Sequence, residues 1–294
     1  MLRRSCFFLR RFASDHSQQS SRLTGLLAPE RFRRKEDKDH VENLLKNLSD
    51  LDAEKKVKPE ENCWHYGKAE QDWEDLCNPG NYQSPINVDP GHTYKGNEVL
   101  EVSFYPLQTR YVPQTKTGRF TTKTFIVQGN FGTLTINPLL DPVPRQFDSL
   151  QFHFHAPAEH LINGDRHDLE MHIVHSERGR PNNMAVVGFF FKNDGVTNPF
   201  IEQVMHSLDK PTLMDLDMLI PKEKMGVYLY EGSLTTPPLT QGILWFLVSN
   251  LHSISKKQLE FFRSQWERNP EFAEGRGNNR EVQPLNRRKI LYFD

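Results

Sequence analysis

The sequence predicts a β-rich α+β fold, one domain over residues 60–294 made mostly of strands with a few short helices. Three observations carry this. From about Pro59 onward, aromatic residues, prolines and glycines become frequent and short alternating runs replace the charged texture that precedes them. Several runs have strand length, β-branched or aromatic content, and Gly, Pro, Asn or Asp at their borders. Only two stretches of this region show helical spacing, and there is no internal repeat, P-loop or dinucleotide glycine fingerprint.

Taken in chain order, the strands are "KTFIVQG", "GTLTIN", "SLQFHFH", "LEMHIVH", "MAVVGFFF" and "GILWFLV". The helices are "NPFIEQVMHSL" and "SKKQLEFFRSQW". In the second helix Ser255 and Gln258 have the spacing of a capping box, and Leu259, Phe262 and Trp266 fall on one face. Before this body the chain is polar and charged. Residues 13–59 read as an extension or linker, in which Val41, Leu44, Leu45, Leu48 and Leu51 recur at the spacing of a short amphipathic helix.

Residues 1–12 differ again. The start "MLRRSCFFLRRFAS" is rich in arginine and serine and free of acids, the composition of a mitochondrial transit peptide, and its apolar run "CFFL" is shorter than the roughly 7 to 15 residues of a secretory h-region. A cut near Phe12 and a mitochondrial matrix address are expected, with a cytoplasmic address as the alternative. Cysteine usage fits a reducing compartment: the three cysteines are Cys6, Cys63 and Cys77, and none follows Cys77. The 37 basic and 38 acidic residues nearly cancel, which argues against a nucleic-acid partner. No run approaches the roughly 18 apolar residues of a membrane span.

The chemistry lies in "QFHFHAPAEH", residues 151–160. Side chains alternate along a strand, so Gln151, His153 and His155 share one face while Phe152 and Phe154 take the other. The strand "LEMHIVH" does the same, with Glu170, His172 and Val174 opposite Leu169, Met171, Ile173 and His175. If the two polar faces adjoin, His153, His155 and His172 converge. Three neutral imidazoles leave an open fourth position on a tetrahedral Zn²⁺, the arrangement of a catalytic rather than a structural zinc. Gln151 and Glu170, each two residues before a histidine on the same face, suit the partners that ligand imidazoles need on their other nitrogen.

Over about residues 62 to 291 the chain resembles the alpha-class carbonic anhydrases. The ordered motifs are "CWHYG", "NYQSPINV", "QFHFHAPAEH", "LEMHIVH", "AVVGFFF", "YEGSLTTPPLTQGILWFLV" and "REVQPLNRRKI". The resemblance implies a large, twisted, mostly antiparallel central sheet with short peripheral helices, and a zinc enzyme that interconverts CO2 and bicarbonate and is blocked by sulfonamides or anions. It implies His153, His155 and His172 as zinc ligands, supported by Gln151, the backbone carbonyl of Asn278, and Glu170. Thr235 matches the residue that accepts a hydrogen bond from the zinc-bound hydroxide and donates to a buried glutamate, here Glu159. Thr236 matches the position that binds bicarbonate or inhibitors. Val174, Val186, Leu234, Ile243 and Trp245 match the apolar wall for CO2, and His160 a buried structural histidine. The rival reading is a binding or assembly module of the same fold, and a zinc esterase is a third.

Two departures from the family pattern stand out. Gly132 is aligned with the histidine that relays protons in the fastest relatives, so a slower enzyme is expected, one whose turnover rises with imidazole buffers and with Gly132→His. His65 and His92 are other candidate relays. Extracytoplasmic relatives join a cysteine in the place of Cys77 to one where this chain has Leu239, so that bridge cannot form; Cys63 and Cys77 are expected as free thiols, with a pair between the two as the alternative.

Overall fold

The computed structural model describes Tyr66, Trp73 and residues 80–95, 108–121, 123–136, 143–220, 225–266 and 275–293. The chain divides into two units, residues 1–63 and 64–294, and the described residues lie in the second. The expected transit peptide, the 13–59 extension, the three cysteines and His65 lie outside the described residues.

The principal strands, labelled here in chain order, are β1 (Gln108–Tyr111), β2 (Phe125–Gln128), β3 (Gly132–Ile136), β4 (Arg145–His155), β5 (Leu169–Glu177), β6 (Arg180–Asn193), β7 (Val227–Ser233), β8 (Gln241–Ile254) and β9 (Leu291–Phe293). They form one 11-stranded sheet that runs from the short strand Tyr94–Lys95 through β9, β7, β8, β6, β5, β4 and β2 to Gly118–Phe120. β3 pairs with the N-terminal part of β4, and β1 with β3. Neighbours are antiparallel except β6 with β8 and β9 with Tyr94–Lys95, so the sheet is mixed with an antiparallel majority. All six sequence-read strands are present.

Among the described residues, α1 (Pro199–His206) and α2 (Lys256–Trp266) flank the sheet. α1 starts where it does because Asn198 accepts hydrogen bonds from the N–H groups of Phe200 and Ile201, at 3.1 and 3.2 Å, with Pro199 pre-set at the first helical position. The capping box of α2 is reciprocal: Gln258 N–H donates to Ser255 Oγ at 3.3 Å, and Ser255 N–H donates to Gln258 Oε1 at 3.1 Å. Its buried face is Leu259, Phe262 and Trp266.

The alternation of β4 and β5 sorts the interior into two apolar clusters. One face carries Phe147, Phe152, Phe154, Leu169, Met171 and Ile173 into the main core, with Phe262 and Trp266 of α2. The other carries the polar side chains, and a smaller cluster gathers there around Val174, Val186, Ile243 and Trp245. β4 departs from simple alternation once. Val174 pairs with Gln151 and His175 with Ser149, leaving Leu150 as an extra residue on β4. This bulge lets Phe147 and Phe152 face the same core although an even spacing does not separate them.

Candidate metal centre

His153 and His172 are directly opposite each other across β4 and β5, which places their side chains on one face. His155 follows on that face. The ring centroids of His153, His155 and His172 lie 5.0, 5.2 and 4.7 Å apart in pairs, and one donor atom from each falls within 4.8 Å of the others. The three imidazoles are brought together as the sequence predicts.

Each imidazole has one nitrogen tied back to the protein. His153 Nδ1 meets Gln151 Oε1 at 2.9 Å, His155 Nδ1 meets the Asn278 carbonyl at 2.7 Å, and His172 Nε2 meets Glu170 Oε1 at 2.6 Å. A carbonyl or carboxylate can only accept, so each tied nitrogen carries the proton and the other presents a lone pair. His155 Nε2 is buried and has no hydrogen-bond partner, an arrangement that costs free energy unless something else fills it. Burial, reinforced by the neighbouring imidazoles, holds His153 well below the usual histidine range, and burial takes His155 down to about 4. Neutral imidazoles with converging lone pairs are what a Zn²⁺ ion requires, so the residues present fit that ion.

The Asn278 support is built from a distance. Its side chain accepts from Ala156 N–H at 2.8 Å and donates to the carbonyls of Phe154 and Lys123 at 2.9 and 3.0 Å, which clamps the end of β4 where His155 stands.

Glu159 is fully buried between the imidazoles and the loop after β7. Its Oε1 accepts from Arg280 N–H at 2.8 Å, while Oε2 has no partner at full bonding distance. Thr235, itself buried, directs its hydroxyl at this carboxyl. Burial pushes the Glu159 carboxyl up to about 7, against the downward pull of His172, the Thr235 hydroxyl and Arg280 N–H. Thr236 lies beside Thr235 and is half-buried. Val174, Val186 and Trp245 form one row across β5, β6 and β8, and with Ile243 they are almost fully buried. Leu234 packs against the same cluster.

Gly132 does not occupy a relay position. Its φ is +134°, and a Cβ there would lie 2.1 Å from the Arg110 carbonyl oxygen and 2.9 Å from Tyr111 Cα. A side chain at 132 would run into the backbone of β1 instead of facing the histidines, so the expected gain from Gly132→His is corrected on steric grounds. The segment reaches the site face at Gln128, opposite Gln151. Of the other histidines, His92 is exposed and bonded to Asp89 at 2.6 Å, and His175 is buried in the core with its Nε2 3.1 Å from the Tyr111 hydroxyl.

His160 was read as structural from the sequence, but Ser84 and Tyr230, to which it connects, were missed. Ser84 Oγ lies 2.8 Å from Tyr230 Oη, and Tyr230 Oη lies 2.6 Å from His160 Nε2. A tyrosine in "YEGS" and a serine in "QSPI" carry no local signal of this contact. No helix among the described residues is long and apolar enough to cross a membrane.

Comparison with known proteins agrees with this geometry. Residues 65–294 match the family model for eukaryotic-type carbonic anhydrase. Alpha carbonic anhydrase 4 of Arabidopsis thaliana is 31% identical over 236 residues, covering 78% of this chain and 81% of the relative. A carbonic anhydrase of Klebsiella pneumoniae is 31% identical over 236 residues, covering 77% and 86%. Among solved structures, the alpha-carbonic anhydrase of Thermovibrio ammonificans in complex with sulfanilamide superposes with a TM-score of 0.62 at 31% identity, covering 78% of this chain and 98% of that one. Carbonic anhydrase Cah3 of Chlamydomonas reinhardtii, in complex with acetazolamide, gives 0.62 at 26% identity, covering 78% and 99%. With its three converging imidazoles set in this sheet, the chain belongs to the alpha-class carbonic anhydrase family.

Proposed function

We propose that the chain is a zinc enzyme for the reversible hydration of CO2 to bicarbonate and a proton, held by His153, His155 and His172. The observation that carries this is the set of three converging imidazoles whose second nitrogens are all committed to Gln151, Asn278 and Glu170. When bound, zinc supplies a Lewis acid and a nucleophile drawn from water near neutral pH, an effect for which carbonic anhydrase is itself the standard example.

The other residues position and exclude. With Glu159 as a carboxylate, the Thr235 hydroxyl donates its hydrogen bond to Glu159, so on the side facing the reacting oxygen it can only accept, which fixes that oxygen's orientation. A nearby dication favours the ionised form of Glu159 that this requires. Val174, Val186, Leu234, Ile243 and Trp245 give apolar CO2 a dry wall, and Thr236 holds the polar product or an anionic inhibitor beside them. No imidazole stands on the β2–β3 segment, and proton release therefore depends on water and buffer, which makes this a slower enzyme than relatives with a relay histidine. Sulfonamide inhibition is expected.

Zinc content and CO2 hydration measured on one sample, with and without a sulfonamide, test this reading. One zinc per chain with sulfonamide-sensitive hydration supports it; a folded chain without zinc would favour a binding module of the same fold. Turnover should rise with imidazole-type buffers, and a rate indifferent to buffer would show that proton release is not limiting. We place the mature protein in the mitochondrial matrix after cleavage near Phe12, on the arginine-rich, acid-free composition of its start. Recovery of intact Met1 from the purified native protein would refute this.

A further inference from the structure

The hydrogen bonds behind His172 admit only one direction. For His172 to present Nδ1 as a lone pair, its Nε2 must carry the proton and donate to Glu170 Oε1, 2.6 Å away. Glu170 meets donors on both oxygens: Oε2 accepts from the backbone N–H groups of Glu159 and His160 at 2.8 and 2.9 Å while Oε1 takes the His172 N–H, so the carboxyl is used as an acceptor throughout. His160 Nδ1, 2.7 Å from the same oxygen, must therefore donate as well, which leaves His160 Nε2 a lone pair. Tyr230 then has no choice but to donate its O–H to His160 Nε2, at 2.6 Å. The Tyr230 oxygen in turn accepts a hydrogen bond from the Ser84 hydroxyl at 2.8 Å, and Ser84 Oγ accepts from the backbone N–H of Ser233 at 3.1 Å.

All the side chains in this series are buried: Ser84, His160 and Glu170 at 0%, His172 at 1% and Tyr230 at 2% exposure. No water can substitute for a missing link without being built in. Gly232 makes room for the series, because a Cβ there would lie 2.1 Å from Ser84 Oγ. Ser84 N–H in turn donates to Ser233 Oγ at 2.9 Å, so the "QSPI" segment and the end of β7 hold each other.

We infer that Tyr230 and Ser84 are positioning residues for the metal, acting through His160 and Glu170 to fix which nitrogen of His172 faces the ion; this rests on the zinc reading above. The physical reason is the oxygen that the two rings share. Without the Tyr230 O–H, the His160 Nε2 lone pair is buried and unpaired, and the ring is relieved by turning or by moving its proton from Nδ1 to Nε2, which takes away the donor aimed at Glu170 Oε1. Glu170 Oε1 then loses one of the two imidazole N–H groups that fix it, and His172 Nε2 loses a rigidly held acceptor. Zinc should then leave faster while the fold persists.

The test reads tautomers and zinc release, not turnover. Histidine ¹⁵N spectra of the full chain should show His160 as the Nδ1–H tautomer, with zinc and after its removal. Chelator competition should show Tyr230→Phe releasing zinc about tenfold faster and Ser84→Ala less so, with Ser84→Thr, which keeps the hydroxyl, nearer the parent. Phe262→Leu, a change confined to the main core, should leave zinc release unchanged. An Nε2–H tautomer at His160, or zinc release from Tyr230→Phe no faster than from Phe262→Leu, overturns the inference alone. A parent chain that holds no zinc overturns it together with the zinc reading.

Discussion

The two faces of β4 and β5 are made by the same residues in alternation, yet they are held by different physics. On the core face, Phe152, Phe154, Met171 and Ile173 are fully buried and each touches neighbours that could be exchanged for others of similar volume. On the site face, each of the three imidazoles has a named partner in a required direction: Gln151 for His153, Asn278 for His155, Glu170 for His172. The core face tolerates error in small increments, whereas the site face fails when one atom is removed. Stability and metal binding should therefore respond to different mutations.

The largest effect should come from the core. Phe154→Ala removes a ring packed edge-on or tilted against Phe125, Phe152 and Phe262, and should cost about 3–5 kcal/mol by denaturant unfolding. Zinc stoichiometry of the molecules that remain folded should not change. Loss of zinc from folded Phe154→Ala would break the proposed division between the faces.

His175 sharpens the comparison because it is a titratable group on the core face. Burial drives its pKa down to about 4, against an unfolded value near 6.5. The folded state then refuses a proton that the unfolded chain accepts. Its contribution to stability is intact above about pH 6.5 and is lost as pH falls toward 4, on the order of 3 kcal/mol in total. His175→Gln, which can still meet the Tyr111 hydroxyl, should flatten this acid limb, as followed by thermal unfolding against pH. An unchanged pH profile would remove His175 as the cause.

On the site face, Gln151→Ala takes away the partner of His153 and should weaken zinc binding roughly 10- to 100-fold, about 1.4–2.7 kcal/mol, with little change in the unfolding midpoint of the zinc-free protein. Chelator titration reads the first quantity and denaturant unfolding the second. The smallest effect is expected where core and surface meet, at the start of α2. Ser255→Ala should cost about 1 kcal/mol in denaturant unfolding, with zinc affinity unaltered.

Much of the site was legible because strand alternation is a local rule. "QFHFH" assigns His153 and His155 to one face without knowledge of any neighbour, and "LEMHIV" does the same for His172. The capping box of α2 was legible for the same reason: Ser255 and Gln258 satisfy each other within one turn. The partnership of His155 with Asn278 spans 123 residues and could be expected only from the family resemblance. Nothing in "DSLQF" announces that Leu150 is an extra residue, because a bulge is set by how β5 and the β2–β3 segment fit against β4. Gly132 misled for a related reason. Its place in a motif suggested a missing side chain, while its φ and the nearby Arg110 carbonyl show a position where no side chain fits. The series from Ser84 to His160 was invisible because it joins three separate stretches of chain.

The clamp by Asn278 also bears on synthesis. A chain emerging from the ribosome exposes all three histidines more than a hundred residues before Asn278 appears, and until then His155 has no carbonyl to fix its proton on Nδ1. The tight site thus forms late, and an interrupted chain carries the imidazoles without their alignment. Metal capture becomes a report on whether translation has passed residue 278.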